Sequence, residues 1–253
     1  TFLLESAEHG GAWSRYSFIG VRSEATLSEK DGLAYWQGTA PAGAPTGIDP
    51  LDALRLSAAH LKSPKIPGLP PLTGGLVGFM GYDVVRRLER LPDLTVKDIP
   101  LPELSFMLTS DLAVLDHSDG TITLIANAIN WDGSDDRIDE AYESCVQRLD
   151  RMQADLSTPL SGEAAEIPDF SLPDYIGNIS GEQFKENILK VKEEILAGEA
   201  FQVVLSQRFA MPCQADAIDV YRMLRLNNPS PYMYLFRFTD GIEIVGSSPE
   251  ALV

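Results

Sequence analysis

The fold is decided by the stretch Leu104-Ser105-Phe106-Met107-Leu108-Thr109-Ser110-Asp111-Leu112-Ala113-Val114-Leu115-Asp116. A polar segment that contains glycine, His117-Ser118-Asp119-Gly120, follows it, and a second apolar run extends from Thr121 to Ile129. Two strand-like runs joined by a short turn of this composition predict an antiparallel hairpin. The core is therefore expected to contain antiparallel strands.

Similar strand pairs are predicted near both ends of the chain. Phe2 to Leu4 and Tyr16 to Ile19 are apolar runs separated by a polar loop, and Ser230 to Phe236 is a turn that leads into a strand. The turn Thr239-Asp240-Gly241 connects that strand to Ile242 to Gly246. Antiparallel pairing is thus the expected arrangement along most of the chain.

Isolated helices are predicted between these strands. Asp49-Pro50 supplies an N-cap and a proline at the first helical position, and Ser180-Gly181-Glu182-Gln183 is a capping box that opens a helix ending at Gly198. Helices that alternate with hairpins indicate an α+β fold with mostly antiparallel sheets.

The glycine-rich stretch Gly74 to Tyr82 is interpreted as a strand, not as a nucleotide-binding loop. It lacks the G-x-G-x-x-G spacing of a dinucleotide site. Glycine inside a strand is typical of a close approach to another backbone.

Composition excludes several classes of function. The 253 residues are 44% hydrophobic, and 37 acidic against 20 basic residues give a net charge of -17. Nucleic-acid binding needs a basic surface, so no such partner is expected. An anionic substrate would need local basic groups or a bound cation to reverse the sign of this field.

The cellular setting is predicted to be the cytoplasm. No apolar run approaches the length of about eighteen residues typical of a membrane span. Cys145 and Cys213 lie far apart and form no metal-binding or disulfide pattern.

The sequence also suggests boundaries. Thr1-Phe2-Leu3-Leu4 has no initiator Met and Pro249 to Val253 is apolar without a cap, so we expect a longer parent chain and a fold truncated at the carboxyl end. A segment rich in Pro, Ser, Gly and Glu predicts a linker at 161–175 between regions 1–160 and 176–253.

A polar residue stands out in Gly198 to Arg208. Val203-Val204-Leu205 is interpreted as a short buried strand, with Gln202 at its start. A buried amide must be hydrogen-bonded, so Gln202 either completes a structural bond or faces a ligand.

Five segments together resemble the large subunit of anthranilate synthase. They are Leu3 to Ser6, Trp13 to Gly20, Gly198 to Phe209, Asn228-Pro229-Ser230-Pro231-Tyr232-Met233 and Gly246-Ser247-Ser248-Pro249-Glu250. The order and spacing of these motifs are specific, and the resemblance runs over nearly the whole chain. It covers the amino-terminal half and the start of the chorismate-binding half of that family.

The resemblance implies a fold and an activity. The family has a two-layer β-sandwich flanked by helices, and it makes anthranilate and pyruvate from chorismate and ammonia with Mg²⁺. Ammonia normally comes from glutamine through a partner amidotransferase subunit. The Mg²⁺ ligands are expected beyond Val253, so this fragment alone is expected to be inactive.

Two catalytic residues follow from the matched motifs. Departure of the chorismate 4-hydroxyl requires a general acid, and Glu250 matches the acid position. Burial beside Pro249 is expected to favour the protonated form of Glu250. Gln202 falls where related enzymes that add water carry a lysine. An amide is no base, and neutral ammonia needs none, so Gln202 favours amination over hydroxylation.

A regulatory site for L-tryptophan is also implied by the resemblance, and it places part of that pocket in region 1–160. The residues expected to line it are Leu4, Glu5, Ser6, Pro231, Tyr232 and Met233, with Arg15 or its neighbours at its edge. Glu5 and Ser6 offer acceptors for an ammonium group, whereas the other segment offers an apolar wall for an indole.

Two alternatives remain open on the sequence. The aminodeoxychorismate synthase large subunit shares the fold, the substrate and the glutamine before the predicted strand. A non-catalytic domain that binds tryptophan would retain the pocket without the chemistry.

Overall fold

The computed structural model describes residues 1–7, 15–159 and 174–251. The chain divides into two compact units, one formed by residues 1–161 and 217–253 and the other by 162–216. Each unit is described by itself.

The first unit contains eight strands and three α-helices in its described part. In chain order they are β1 (Phe2–Glu5), β2 (Tyr16–Lys30), β3 (Leu33–Gly38), α1 (Pro50–His60), β4 (Gly75–Met80), β5 (Leu104–Asp116), β6 (Thr121–Ala126), α2 (Ile138–Ser157), α4 (Ala217–Asn227), β9 (Tyr232–Arg237) and β10 (Glu243–Ser248). A 3₁₀ helix spans Tyr82–Arg87. The second unit holds β7 (Ile176–Gly177), α3 (Gly181–Ala197) and β8 (Phe209–Ala210).

The strands of the first unit form one antiparallel sheet. Its order is β10-β9-β1-β2-β5-β4, with β3 also paired to β2 and β6 also paired to β5. The short strand β1 lies in the middle, where Leu3 pairs with Ile19 of β2 and with Leu235 of β9. Residues from the two ends of the sequence are therefore neighbours in the sheet.

The sheet curls into two layers around its core. Register shifts interrupt the β2–β5 ladder between Gly20 and Ala25, and such bulges bend a strand. Phe79 of β4 and Phe238 just after β9 belong to opposite ends of the strand order, yet their rings meet edge-on at 5.5 Å. The inner face buries Phe2, Met107, Leu112, Val114, Phe236 and Phe238. The predicted α+β class, its antiparallel pairing and the flanking helices are confirmed.

The glycine-rich stretch is a strand in close contact with its neighbour, as predicted. Gly78 pairs with Phe106 in the β4–β5 ladder. A Cβ atom at Gly78 would lie 1.9 Å from the carbonyl oxygen of Ser105. Only glycine therefore fits there without a shift of the backbone.

One ion pair ties helix α2 to the sheet. The guanidinium of Arg148 donates to Asp111 Oδ1 of β5, to the carbonyl oxygen of Asn127 and to Cys145 Sγ. Burial raises the pKa of Asp111, and the charge of Arg148 opposes that rise. The pair is nearly enclosed, since the side chains of Arg148 and Asp111 are 15% and 4% exposed.

The predicted caps at Asp49 and Ser180 are confirmed, whereas α2 begins after Arg137 without a side-chain cap. Asp49 Oδ1 accepts from the backbone N–H groups of Leu51 and Asp52 at the start of α1. In the second unit, Ser180 Oγ accepts from Gln183 N, and α3 ends at Gly198 with φ 86°. These local signals depend only on neighbours in sequence.

The predicted buried strand at Val203-Val204-Leu205 is wrong. These residues have no regular structure, and Val204 is 83% exposed. A β-branched run becomes a strand when a partner and a packing surface are present. Among the described residues, only Phe209 and Ala210 of this region pair, with Gly177 and Ile176.

The division of the chain differs from the predicted one. The first unit consists of two segments, and the first of them ends at residue 161, close to the predicted boundary at 160. Residues 217–253 nevertheless join the first unit, because β9 pairs with β1. Most of the predicted linker 161–175 falls outside the described residues. No described helix is both long and apolar enough to cross a membrane.

Candidate functional site

The predicted tryptophan-binding residues meet where β1 ends and β9 begins. Glu5 pairs with Met233, and Leu4 pairs with Tyr234. Beyond the ladder, Ala7 N donates to the carbonyl oxygen of Ser230 at 2.9 Å, so the segment before β9 stays close to the chain after β1. The two motifs are thus adjacent in space although more than 200 residues separate them in sequence.

The predicted residues do not all face the same side of the sheet. Glu5 and Met233 point toward α4, where Met233 is buried against Ala217, Tyr221 and Leu235. Leu4 points to the opposite face and packs against the inner core. Tyr232 alternates with Met233 and is 43% exposed. A single ligand on one face would therefore contact a subset of the six side chains.

The carboxylate of Glu5 is already engaged by two residues of α4. Tyr221 Oη donates to Glu5 Oε1 at 2.5 Å, and Arg225 Nε donates to the same oxygen at 2.7 Å. Arg225 Nη2 lies 3.4 Å from Oε2. The Glu5 side chain is only 10% exposed, so this cluster sits at the edge of the interior.

The electrostatics of this cluster agree with its hydrogen bonds. Burial raises the pKa of Tyr221, and the hydrogen bond to Glu5 raises it further, so the phenol stays protonated and can donate. The hydrogen bond to Glu5 likewise raises the pKa of Arg225. The cluster thus consists of an anion held by one neutral and one cationic donor.

Ser6 follows Glu5 in the sequence and, because side chains alternate along an extended chain, belongs to the same face as Leu4. Its Oγ is buried and has no hydrogen-bond partner in the part of the chain that the structure describes. Such an atom loses its bonds to water without replacing them, which costs about 1–3 kcal/mol. A bound ligand with a polar group would remove that cost.

Arg15 is an ion-pair partner in this structure. Its Nε and Nη2 donate to the carboxylate of Asp116, and its guanidinium lies 4.8 Å from the ring centre of Tyr16. The hydrogen bond from Arg15 holds the pKa of Asp116 well below its usual range. Arg15 therefore joins the start of β2 to the end of β5.

Glu250 follows β10 in a turn that a serine organises. Ser248 Oγ donates to the carbonyl oxygen of Glu250 at 3.0 Å and lies 3.4 Å from Glu250 N. The predicted burial of Glu250 is wrong for the described residues, because none of them covers its exposed side chain after β10. Ser247 Oγ donates to the carbonyl oxygen of Asn228 at 2.7 Å, which ties β10 to the segment before β9.

Gln202 lies in the second unit and its side chain is exposed. The amide therefore needs no protein partner, and the argument from a buried polar group does not apply to it. Its assignment to the chemistry depends on the matched motif alone.

The described residues do not supply a metal site. Within residues 1–7, 15–159 and 174–251, no group of three or more His, Cys, Asp or Glu side chains could hold a metal ion. Magnesium stays a prediction, and no chemical step is derived through it.

Four relevant residues were missed in the sequence. Tyr221 and Arg225 are four positions apart on α4, and that spacing places them on one helix face. This spacing can be seen in the sequence, but it does not show that the tyrosine hydroxyl would bond to Glu5. Ser247 and Ser248 lie within the recognised Gly246 to Glu250 motif, where nothing in their type indicated which carbonyls they would bind.

Comparison with known proteins shows the family of the chain. Residues 2–253 match the sequence model of the chorismate binding enzymes. The chain is 54% identical to anthranilate synthase component 1 of Mycolicibacterium smegmatis, over all of this chain and 49% of that protein. It is 36% identical to the protein of the same name from Streptomyces coelicolor, over all of this chain and 46% of that protein.

A solved structure shows the same fold. Anthranilate synthase component I from Streptococcus pneumoniae superposes with a TM-score of 0.75 at 29% identity, covering 94% of this chain and 51% of the other. The chain thus spans about half the length of the relatives that it matches. The resemblance to the amino-terminal portion of anthranilate synthase component 1 is confirmed, and the chain belongs to the family of chorismate-binding enzymes.

Proposed function

We propose that this chain forms part of an anthranilate synthase large subunit, which converts chorismate and ammonia to anthranilate and pyruvate. The observation that carries the proposal is the similarity to anthranilate synthase component 1 proteins along the whole chain, at up to 54% identity among the relatives named above. The name component 1 supports a second component as partner, which we propose is a glutamine amidotransferase. The expected setting is cytoplasmic.

The proposed chemistry assigns different roles to Glu250 and Gln202. Ammonia forms a bond to C2 of chorismate while the C4–O bond breaks, and Glu250 protonates the departing hydroxyl so that it leaves as water. Elimination of pyruvate from the aminated intermediate then gives anthranilate. Gln202 positions a reactant by hydrogen bonding, since an amide cannot remove a proton from a nucleophile. Magnesium is proposed as cofactor on the family resemblance.

We further propose feedback inhibition by L-tryptophan at the β1–β9 junction. Two observations support it: the predicted residues of two distant motifs are adjacent there, and the buried Ser6 hydroxyl has no partner among the described residues. The ligand would lie across the ends of β1 and β9. Its ammonium group would bind Glu5 on the α4 face, and its indole would contact the exposed ring of Tyr232 on the face to which Ser6 also belongs.

The test uses the full-length protein with chorismate, ammonium and Mg²⁺. Anthranilate is followed by its fluorescence, and pyruvate by reduction with lactate dehydrogenase. We expect equal amounts of the two products and a decrease in both rates when L-tryptophan is added. Accumulation of an aminated product without pyruvate would indicate an aminodeoxychorismate synthase instead. Binding of tryptophan without binding of chorismate, measured by calorimetry, would indicate a non-catalytic domain.

A further inference from the structure

The hydrogen bonds around Glu5 leave one of its oxygens available. Oε1 accepts from Tyr221 at 2.5 Å and from Arg225 at 2.7 Å, whereas Oε2 has a single distant contact at 3.4 Å. Each carboxylate oxygen has about two acceptor positions. The two donors of α4 therefore saturate one oxygen and fix the direction of the other.

The same two donors fix both sides of the proposed amino-acid site. Glu5 ends β1, and α4 ends at Asn227, four residues before Pro231. A bond between Glu5 and α4 thus limits how far the segment Asn228 to Pro231 can move from β1. The Ala7–Ser230 backbone hydrogen bond closes the same junction from the other end of that segment.

We propose that Tyr221 and Arg225 are positioning residues of the amino-acid site, which orient the carboxylate of Glu5 so that Oε2 accepts the α-ammonium group of the ligand. This inference rests on the proposed regulatory function. Tyr221 is buried, and its ring packs in the cluster between α4 and the sheet. Its neutral hydroxyl donates a hydrogen bond to Glu5. Arg225 is half-exposed and contributes a charge, so the two roles can be separated by substitution.

The chain offers a matched control for Arg225. Arg222 lies three residues earlier on the same helix and donates to Asp219, also on α4, at 2.9 Å. Arg222→Gln removes a charge and a surface ion pair from α4 without touching Glu5. We expect it to leave both tryptophan affinity and turnover at the wild-type level.

The experiment measures L-tryptophan affinity of the full-length protein by calorimetry. Arg225→Gln and Tyr221→Phe are each expected to raise Kd about tenfold, as for loss of a hydrogen bond to a charged group. Arg225→Lys, which keeps the charge, is expected to recover part of the affinity. In a Glu5→Gln background, Arg225→Gln is expected to add little, because both changes remove the same interaction.

The outcomes separate this inference from the proposed function. Wild-type protein that binds no L-tryptophan would overturn the regulatory site and this inference with it. Wild-type binding with an unchanged Kd in Tyr221→Phe and Arg225→Gln would overturn the inference alone. An undiminished effect of Arg225→Gln in the Glu5→Gln background would also contradict it. Tyr221→Phe keeps the packed ring, so the test does not depend on the folding of one variant.

Discussion

Tyr232 of β9 and Ser248 of β10 are direct cross-strand partners, and the hydroxyl of Ser248 bonds to the backbone of Glu250. The residue proposed to contact an inhibitor is therefore paired directly with the residue that holds the backbone of the proposed acid. Hydrogen-bonded strands of this kind can carry energetic coupling between two sites.

Ser248→Ala is expected to lower kcat about fivefold to tenfold, because loss of one hydrogen bond of about 1 kcal/mol releases the turn that carries Glu250. Steady-state kinetics with saturating chorismate measure the effect. Ser247→Ala is the control, since its hydroxyl bonds to Asn228 instead, and its kcat is expected to stay within about twofold of wild type. Equal losses in the two variants would contradict a specific role for Ser248.

Ser6→Ala is expected to weaken tryptophan inhibition without loss of stability. The buried hydroxyl has no partner in the described structure, so its removal should raise the free energy of unfolding, by up to about 1–3 kcal/mol. Ser6→Arg is expected to abolish inhibition, because a long charged side chain would occupy the junction. Inhibition curves and urea denaturation measure the two effects. An unchanged inhibition constant in Ser6→Arg would remove Ser6 from the site.

Arg148→Met is expected to destabilise the protein by about 3–5 kcal/mol at pH 7, because it leaves the buried Asp111 without its counter-charge. Arg151→Met, an exposed position on the same helix, is the control and should be nearly neutral. Denaturant midpoints compare the two variants. A double variant that also replaces Asp111 by Asn should recover part of the loss.

The effect of Arg148→Met should depend on pH in a defined direction. Burial holds the pKa of Asp111 above its ordinary value of 3.8 in the folded protein. A carboxyl with a raised pKa stabilises the fold most in acid, and that contribution is lost as the pH rises above the unfolded value. Without Arg148 the pKa should rise further. The stability difference from wild type should therefore grow between about pH 4 and pH 7, and a constant difference would argue against an ionised Asp111.

Gly78→Ala is expected to destabilise the protein by about 3 kcal/mol or more, because its Cβ would overlap the carbonyl oxygen of Ser105 and force the β4–β5 ladder apart. Gly81→Ala is the matched control. Its nearest neighbour to an added Cβ is Glu103 O at 3.4 Å, and its φ of -68° suits alanine. Thermal unfolding should show a lower midpoint only for Gly78→Ala.

Gln202→Lys is expected to introduce some addition of water to chorismate, since a lysine can deprotonate water and an amide cannot. Chromatography of the products would detect a hydroxylated compound beside anthranilate. Gln202→Met, which removes the amide without adding a base, should give none. A folded lysine variant that yields only anthranilate would remove this role from Gln202.

Local patterns in the sequence predicted much of the fold. The Leu104–Asp116 hairpin, the Asp49 and Ser180 caps and the glycine contact of β4 were correct, because each depends on nearby residues or on a simple alternation. The exposed Val204 was not predicted, because a strand also requires a partner that the sequence pattern does not reveal.

The details of the site depended on contacts between distant residues. The motifs placed Glu5 and Met233 in the same region, but not the engagement of Glu5 by Tyr221 and Arg225. That engagement arises because α4 packs on β9 and β10. Tyr221 and Arg225 thereby lie beside Glu5, although they are separated from it by 216 and 220 positions in the sequence. Tertiary packing of this kind is not encoded in any local stretch.

The central position of β1 also determines when the sheet can be completed during synthesis. Phe2, Leu3, Leu4 and Glu5 emerge from the ribosome among the first residues of this segment, yet half of their ladder belongs to residues 233–236. Non-local pairing of this kind is slow, and the strand must wait with one edge open until the distant partner has been translated. Nascent chains of this protein should therefore be vulnerable to misassociation at β1 from the time β1 is synthesised until β9 has been synthesised. A chaperone that covers Leu3 and Leu4 during this interval should increase the yield of folded protein.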